Sequence, residues 1–244
     1  MCVVLSRPVA WDVNKNEEVT KMGLFDKMMS SVNDVAAAVA GAAGGAALDA
    51  SWKSDRRMDV KPVEDLDELK AAVDVSDPGS VAAYYVYAVM ALTADKDTGI
   101  GMMKYLFADL EPFGRGFTEG GTNGGWDNYM NDRLKDDDYR WLPRAYFNGA
   151  VADNGFHPAQ PLAVDLHFNQ PNTDALNQQS LQQLGRLNIV YWVKSNAAGN
   201  QVNIELSKFD GSDRWYVTKG SVASALFYDQ RAGLTAAAKA KLYT

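Results

Sequence analysis

Apolar and polar positions alternate through much of the second half of the chain. In LAVDLHF, Leu162, Val164, Leu166 and Phe168 fall on one side of an extended backbone, and Ala163, Asp165 and His167 on the other. The segments RLNIVYWVKS, QVNIELSKF and DRWYVTKG repeat this period of two. NAAGN links the second segment to the third, and Asp210-Gly211 marks a turn into the fourth. The pattern predicts a roughly four-stranded antiparallel meander with Leu166, Ile189, Ile204 and Trp215 on its apolar side.

Upstream the period lengthens to that of a helix. From Met22, apolar residues recur at Leu24, Phe25, Met28, Met29, Val32, Val35, Ala36 and Val39, and the pattern fades in the Gly/Ala run from Gly41. A short helix is predicted over Glu64–Val73. Asp77 is placed to cap a longer helix, with Pro78 at its first position and a stripe of Val81, Tyr84, Tyr85, Ala88, Val89 and Leu92. Asp97–Leu110 reads as the next helix, with Ile100, Met103, Leu106 and Phe107 inward and Asp97 or Thr98 as its cap. A third begins at Asn123 or Gly124 and carries Trp126, Tyr129, Met130 and Leu134, and residues 234–242 read as a terminal helix. Helices first and a meander afterwards predict an α+β fold, with N-terminal helices packed on one sheet face. The expected organisation is a leader at 1–21 that need not be native and an amphipathic helix with a Gly/Ala-rich linker at 22–59. The α+β domain is expected at 60–230 and a C-terminal helix at 231–244.

Charge and cysteine content narrow the functional classes. The net charge of −7 disfavours nucleic acid, and the densest basic cluster, Lys53, Arg56 and Arg57, is short. The one cysteine, Cys2, allows neither an internal disulfide nor a Cys-based zinc site, and fits a reducing, cytoplasmic setting. The first residues have neither the basic start nor the apolar core of a secretory signal. The N-terminal arm is expected to form homo-oligomers through close helix approach at its glycines. Its scarcity of lysines disfavours a membrane surface.

The candidate chemistry is sparse. His157 and His167 are the only histidines, and Asp165 shares a strand face with His167. That pairing also occurs on any solvated strand, so surface or structural roles are expected. Gly120 and Gly125 have the spacing of a phosphate loop, but Trp126 stands where its lysine belongs. DKDTGIG departs from a calcium loop, with Gly99 at position five and Leu106 at position twelve. Asp136, Asp137 and Asp138 are consecutive and diverge around a helix. No catalytic, cofactor-binding or metal-ligating residue is assigned.

The stretch AYFNGAVADNGFHPAQPLAVDLHF at 145–168 gathers aromatics, two Asn-Gly steps, two prolines and both histidines. Pro158 and Pro161 favour extended chain, and Asn148-Gly149 and Asn154-Gly155 permit left-handed turns. The expectation is a corner that delivers the chain into the sheet. The helix from Val81, GIGMMKYLF, WDNYMNDRL, YFNGAVADNGFHPAQPL and the strand ending RWYV together resemble a family of uncharacterised bacterial proteins. Its mark is a Tyr-Phe-x-Gly-Ala…Asn-Gly-x-x-Pro passage between helices and an antiparallel sheet. The resemblance covers roughly residues 60 to 220 and implies a domain without an assigned activity. The expected function is a non-catalytic binding or self-assembly module. The alternative is a small-molecule enzyme or ligand binder using a cavity between helices and a curved sheet.

Overall fold

A computed structural model describes residues 48–107, 140–181, 186–197, 201–220 and 240–241 of the chain. Five strands form one antiparallel sheet: β1 (Arg56–Asp59), β2 (Ala163–Phe168), β3 (Arg186–Lys194), β4 (Gln201–Phe209) and β5 (Trp215–Gly220). They lie side by side in chain order. Four α-helices are described: α1 (Leu66–Ala72), α2 (Pro78–Ala94), α3 (Lys96–Leu106) and α4 (Gln170–Leu181). The fold is α+β.

The sheet has one strand more than the alternation predicts. RRMD at Arg56–Asp59 is a short edge strand pairing with β2, Arg56 opposite Leu166 and Asp59 opposite Ala163. Its two arginines and one aspartate hide the pattern. The folded body thus starts before the expected boundary at Val60 and includes the end of the segment read as linker. The N-terminal helix, the helix from Asn123, the glycine run, the triple aspartate and Cys2 lie outside the described residues.

The helix signals act locally. Asp65 accepts from the Glu68 N–H and caps α1. Asp77 accepts from the Gly79 N–H with Pro78 at the first position of α2. The cap of α3 is Asp95, which accepts from the Thr98 N–H at 2.7 Å; the expected caps, Asp97 and Thr98, sit inside the first turn. α2 is buried almost all round, not on one stripe: every residue from Pro78 to Val89 is buried. It packs on β1, β2, β4 and β5 and, on another side, on α3. Gly99 allows that close approach, because a Cβ there would stand 2.2 Å from the Leu92 Cα. The predicted inward set, Leu166, Ile189, Ile204 and Trp215, is fully buried. Burial of each Leu or Ile side chain is worth roughly 1.5–3 kcal/mol.

α4 carries no apolar stripe in QPNTDALNQQSL and escapes the sequence reading. It begins where β2 stops. Asn169 still donates its N–H to the Val190 carbonyl, as a next strand residue would. Pro171 then has no N–H to continue the ladder. The helix runs along the edge of β3 that β2 has left open, and its side chains take over. The Thr173 hydroxyl accepts from the Val190 N–H, and the Asn177 carboxamide pairs with the main chain of Asn188.

Candidate functional site on the outer sheet face

The sheet face turned away from α2 holds a row of polar and aromatic side chains. Register places His167 opposite Trp192, and Trp192 opposite Asn203. The His167 ring lies against the Trp192 indole with centroids 4.0 Å apart and planes 19° apart. Its Nδ1 is 2.9 Å from a carboxylate oxygen of Asp55, whose other oxygen accepts from the Phe168 N–H. The His167 bond holds the Asp55 carboxyl below its ordinary range, with the Phe168 bond adding to it. The imidazole is thereby oriented, one nitrogen engaged and one flat face stacked, with the side chain one-third exposed.

Asp55 and His167 are 112 residues apart in sequence. They meet because the β1–β2 register, continued one residue past Arg56 and Leu166, sets them opposite each other. Asp165, which shares the strand face of His167, is not its partner. That group instead accepts from the Asn148 carboxamide at 3.1 Å. His157 has a different partner again: its Nδ1 lies 3.5 Å from an Arg144 guanidinium nitrogen, at the limit of a hydrogen bond. Among the described residues, no group of three or more His, Cys, Asp or Glu side chains could hold a metal ion.

A second cluster ties the start of β1 and the chain before it to the opposite, helix-facing side. Arg56 grips Asp77 through two bonds, at 2.5 and 2.8 Å, each side chain about one-fifth exposed. Tyr191 donates its hydroxyl to the Trp52 carbonyl at 2.7 Å. Burial pushes the Tyr191 phenol up to about 12, against the pull of the nearby Arg56. The Trp52 ring meets Trp215 edge-on at 5.3 Å. These groups anchor the segment that carries Asp55, so they position the His167 site.

A third cluster lies under α4. The fully buried Asn188 donates to the Ser180 hydroxyl at 2.6 Å and accepts from Arg186 Nε at 2.8 Å and from the Ser207 hydroxyl at 2.7 Å. Its donors and acceptors are met by protein groups, so it stabilises the sheet edge and presents nothing to a ligand.

The 145–168 passage is the corner it was expected to be. Gly149 and Gly155 adopt left-handed φ of 76° and 65°. Phe156 follows at 56°, a strained value for a bulky residue, with its ring buried and stacked 4.5 Å from Trp141. The Asn148 N–H donates to the Ala163 carbonyl and its own carbonyl accepts from Ala159, which fastens the loop to the start of β2.

The model of one family, described as Domain of unknown function (DUF6935), matches residues 61–232. The chain belongs to this family. The match takes in the corner, α4 and all the strands except β1. No curated protein and no solved structure matches the chain. Among the described residues, no helix is long and apolar enough to cross a membrane.

Proposed function

We propose that this member of the family is a non-catalytic binding or self-assembly module of a bacterial cytoplasmic protein, with the outer sheet face around His167 and Trp192 as its contact surface. The observation that carries the reading is the oriented, partly exposed imidazole–indole stack. A rigid aromatic platform with a fixed polar group contributes contact area at little entropic loss. Among the described residues, no hydroxyl or thiol of Ser, Thr or Cys bonds the Asp55–His167 pair, so none stands there as the third member of a nucleophilic relay. The alternative, a small-molecule enzyme with a cavity between helices and sheet, is weakened by the packing there. Tyr85, Val89, Leu166, Ile189, Tyr191, Ile204 and Leu206 all lie fully buried in that layer.

Self-association is read first. The full chain, the variant Trp192→Ala and a chain starting at Leu48 are compared by sedimentation across a dilution series. The reading expects concentration-dependent association that weakens in Trp192→Ala. Association lost only on removal of residues 1–47 assigns it to the arm. A single unchanging monomer for the full chain overturns self-assembly. Zinc titration complements this: stoichiometric tight binding abolished by His167→Gln would overturn the non-metal reading of the site.

A further inference from the structure

We propose that Asn148 is a site of spontaneous deamidation, and that its conversion releases the corner from β2. Asn-Gly steps are chemically prone to this reaction because glycine puts no Cβ in the way of its own nitrogen. The main-chain nitrogen of the glycine attacks the asparagine Cγ and loses its proton. The bond from Cγ to the side-chain nitrogen breaks, and ammonia leaves. Water then opens the resulting five-membered imide at either carbonyl, giving aspartate or isoaspartate. One amide and one water become one carboxylate and one ammonium; no oxidant or cofactor enters.

The chain has three Asn-Gly steps. Asn123-Gly124 lies outside the described residues. The other two stand in opposite environments. At Asn154 every reacting group is engaged: Nδ2 donates to the Gly149 and His157 carbonyls at 2.7 and 3.0 Å, and Oδ1 accepts from the Val151 N–H at 3.0 Å. The Gly155 nitrogen that would attack donates to the Ala152 carbonyl. Both glycines are closely packed, Gly155 against the Lys241 main chain and Gly149 against Ala159, so the hydrogen bonds are what separate the two steps. At Asn148 the side chain has one bond among the described residues, the 3.1 Å contact to Asp165. Gly149 is exposed, and its nitrogen meets no acceptor among the described residues.

The position of Asn148 makes the reaction consequential. Its carboxamide is the donor that faces Asp165 on the outer face of β2. An aspartate there replaces donor by acceptor and sets two carboxylates against each other. Isoaspartate also lengthens the main chain at the residue whose N–H and carbonyl hold Ala163 and Ala159. Either product loosens the hold of the corner on Asp165, which is two residues from His167. This inference does not depend on the proposed binding role.

The test follows the wild-type chain during warm, mildly alkaline incubation, folded and in denaturant. Peptide mass spectrometry reads the amide-to-acid mass gain, and isoaspartate methylation identifies the rearranged product. Because Asn154 must open more hydrogen bonds than Asn148, conversion in the folded chain is expected to be at least about tenfold faster at Asn148. In denaturant the two steps should convert at similar rates. Equal or faster conversion at Asn154 in the folded chain overturns the assignment. Asn148→Asp reports the consequence: a lowered unfolding midpoint and faster amide exchange at Asn148 and Ala159 are expected, and wild-type values for both overturn it. Asn148→Gln keeps a donor amide, and should show neither the rapid conversion nor the charge change.

Discussion

The Asn177 carboxamide hydrogen-bonds the main chain of Asn188 in both directions. The Asn188 N–H donates to Asn177 Oδ1 at 2.8 Å, and Asn177 Nδ2 donates to the Asn188 carbonyl at 3.0 Å. A helix side chain thus makes the bonds that a neighbouring strand would make. An open strand edge is a template for unwanted pairing, and α4 closes it. Asn177→Ala leaves two main-chain groups without their partner. A loss of about 2 kcal/mol in denaturant unfolding is expected, together with faster amide exchange at Asn188. Unchanged exchange there would show that α4 does not protect the edge.

Gly99 and Leu92 give a prediction in which two rules oppose each other. Helix propensity alone favours Gly99→Ala in α3 by up to about 1 kcal/mol. The added Cβ, however, would stand 2.2 Å from the Leu92 Cα, and main chain cannot rotate aside. Overpacking of this kind costs roughly 1–3 kcal/mol, so thermal melting is expected to fall. Gly101, in the same helix, has open space around its Cβ position and is the matched control. Gly101→Ala should hold or raise the melting temperature.

Ile204 sits on the helix-facing side of β4, fully buried opposite Tyr191. Ile204→Ala is expected to destabilise by about 2–5 kcal/mol in denaturant unfolding, through lost burial and the cavity left behind. A change below about 1 kcal/mol would contradict a packed layer at this position.

Two titrations carry opposite signs. Asp55, Asp74 and Asp95 all have carboxyls held below the ordinary 3.8 by hydrogen bonds, the first chiefly from His167, the second from Ser76 and the third from Thr98. A depressed folded value means stability fully present above the unfolded pKa and lost as pH falls through the folded one. Stability is therefore expected to drop below about pH 4, and less steeply in Asp55→Asn. Tyr191 acts at the other end. Its phenol rises from 10.0 to about 12, so its contribution is complete below pH 10 and is lost as pH climbs towards 12. Tyrosinate absorbance of the folded chain should show a late-ionising residue that Tyr191→Phe removes.

Local signals determined much of the fold. Asp77-Pro78 starts α2 because a carboxylate cap and a ring-fixed φ act within a few residues. The alternation in β3, β4 and β5 assigns Ile189, Ile204 and Trp215 to the buried side because a strand has only two faces. Asn-Gly steps place the turns of the corner because Gly149 and Gly155 tolerate positive φ. What tertiary structure decided depends on partners distant in sequence. RRMD becomes β1 only because the edge of β2 accepts it. QPNTDALNQQSL becomes a docked helix through hydrogen bonds to an open strand edge, which apolar periodicity does not record. The partner of His167 is Asp55, not the adjacent Asp165, because strand register brings Asp55 opposite while Asn148 occupies Asp165. Spacing along one strand specifies which side chains share a face; which of them meet across strands is set by register, and register is a property of the assembled sheet.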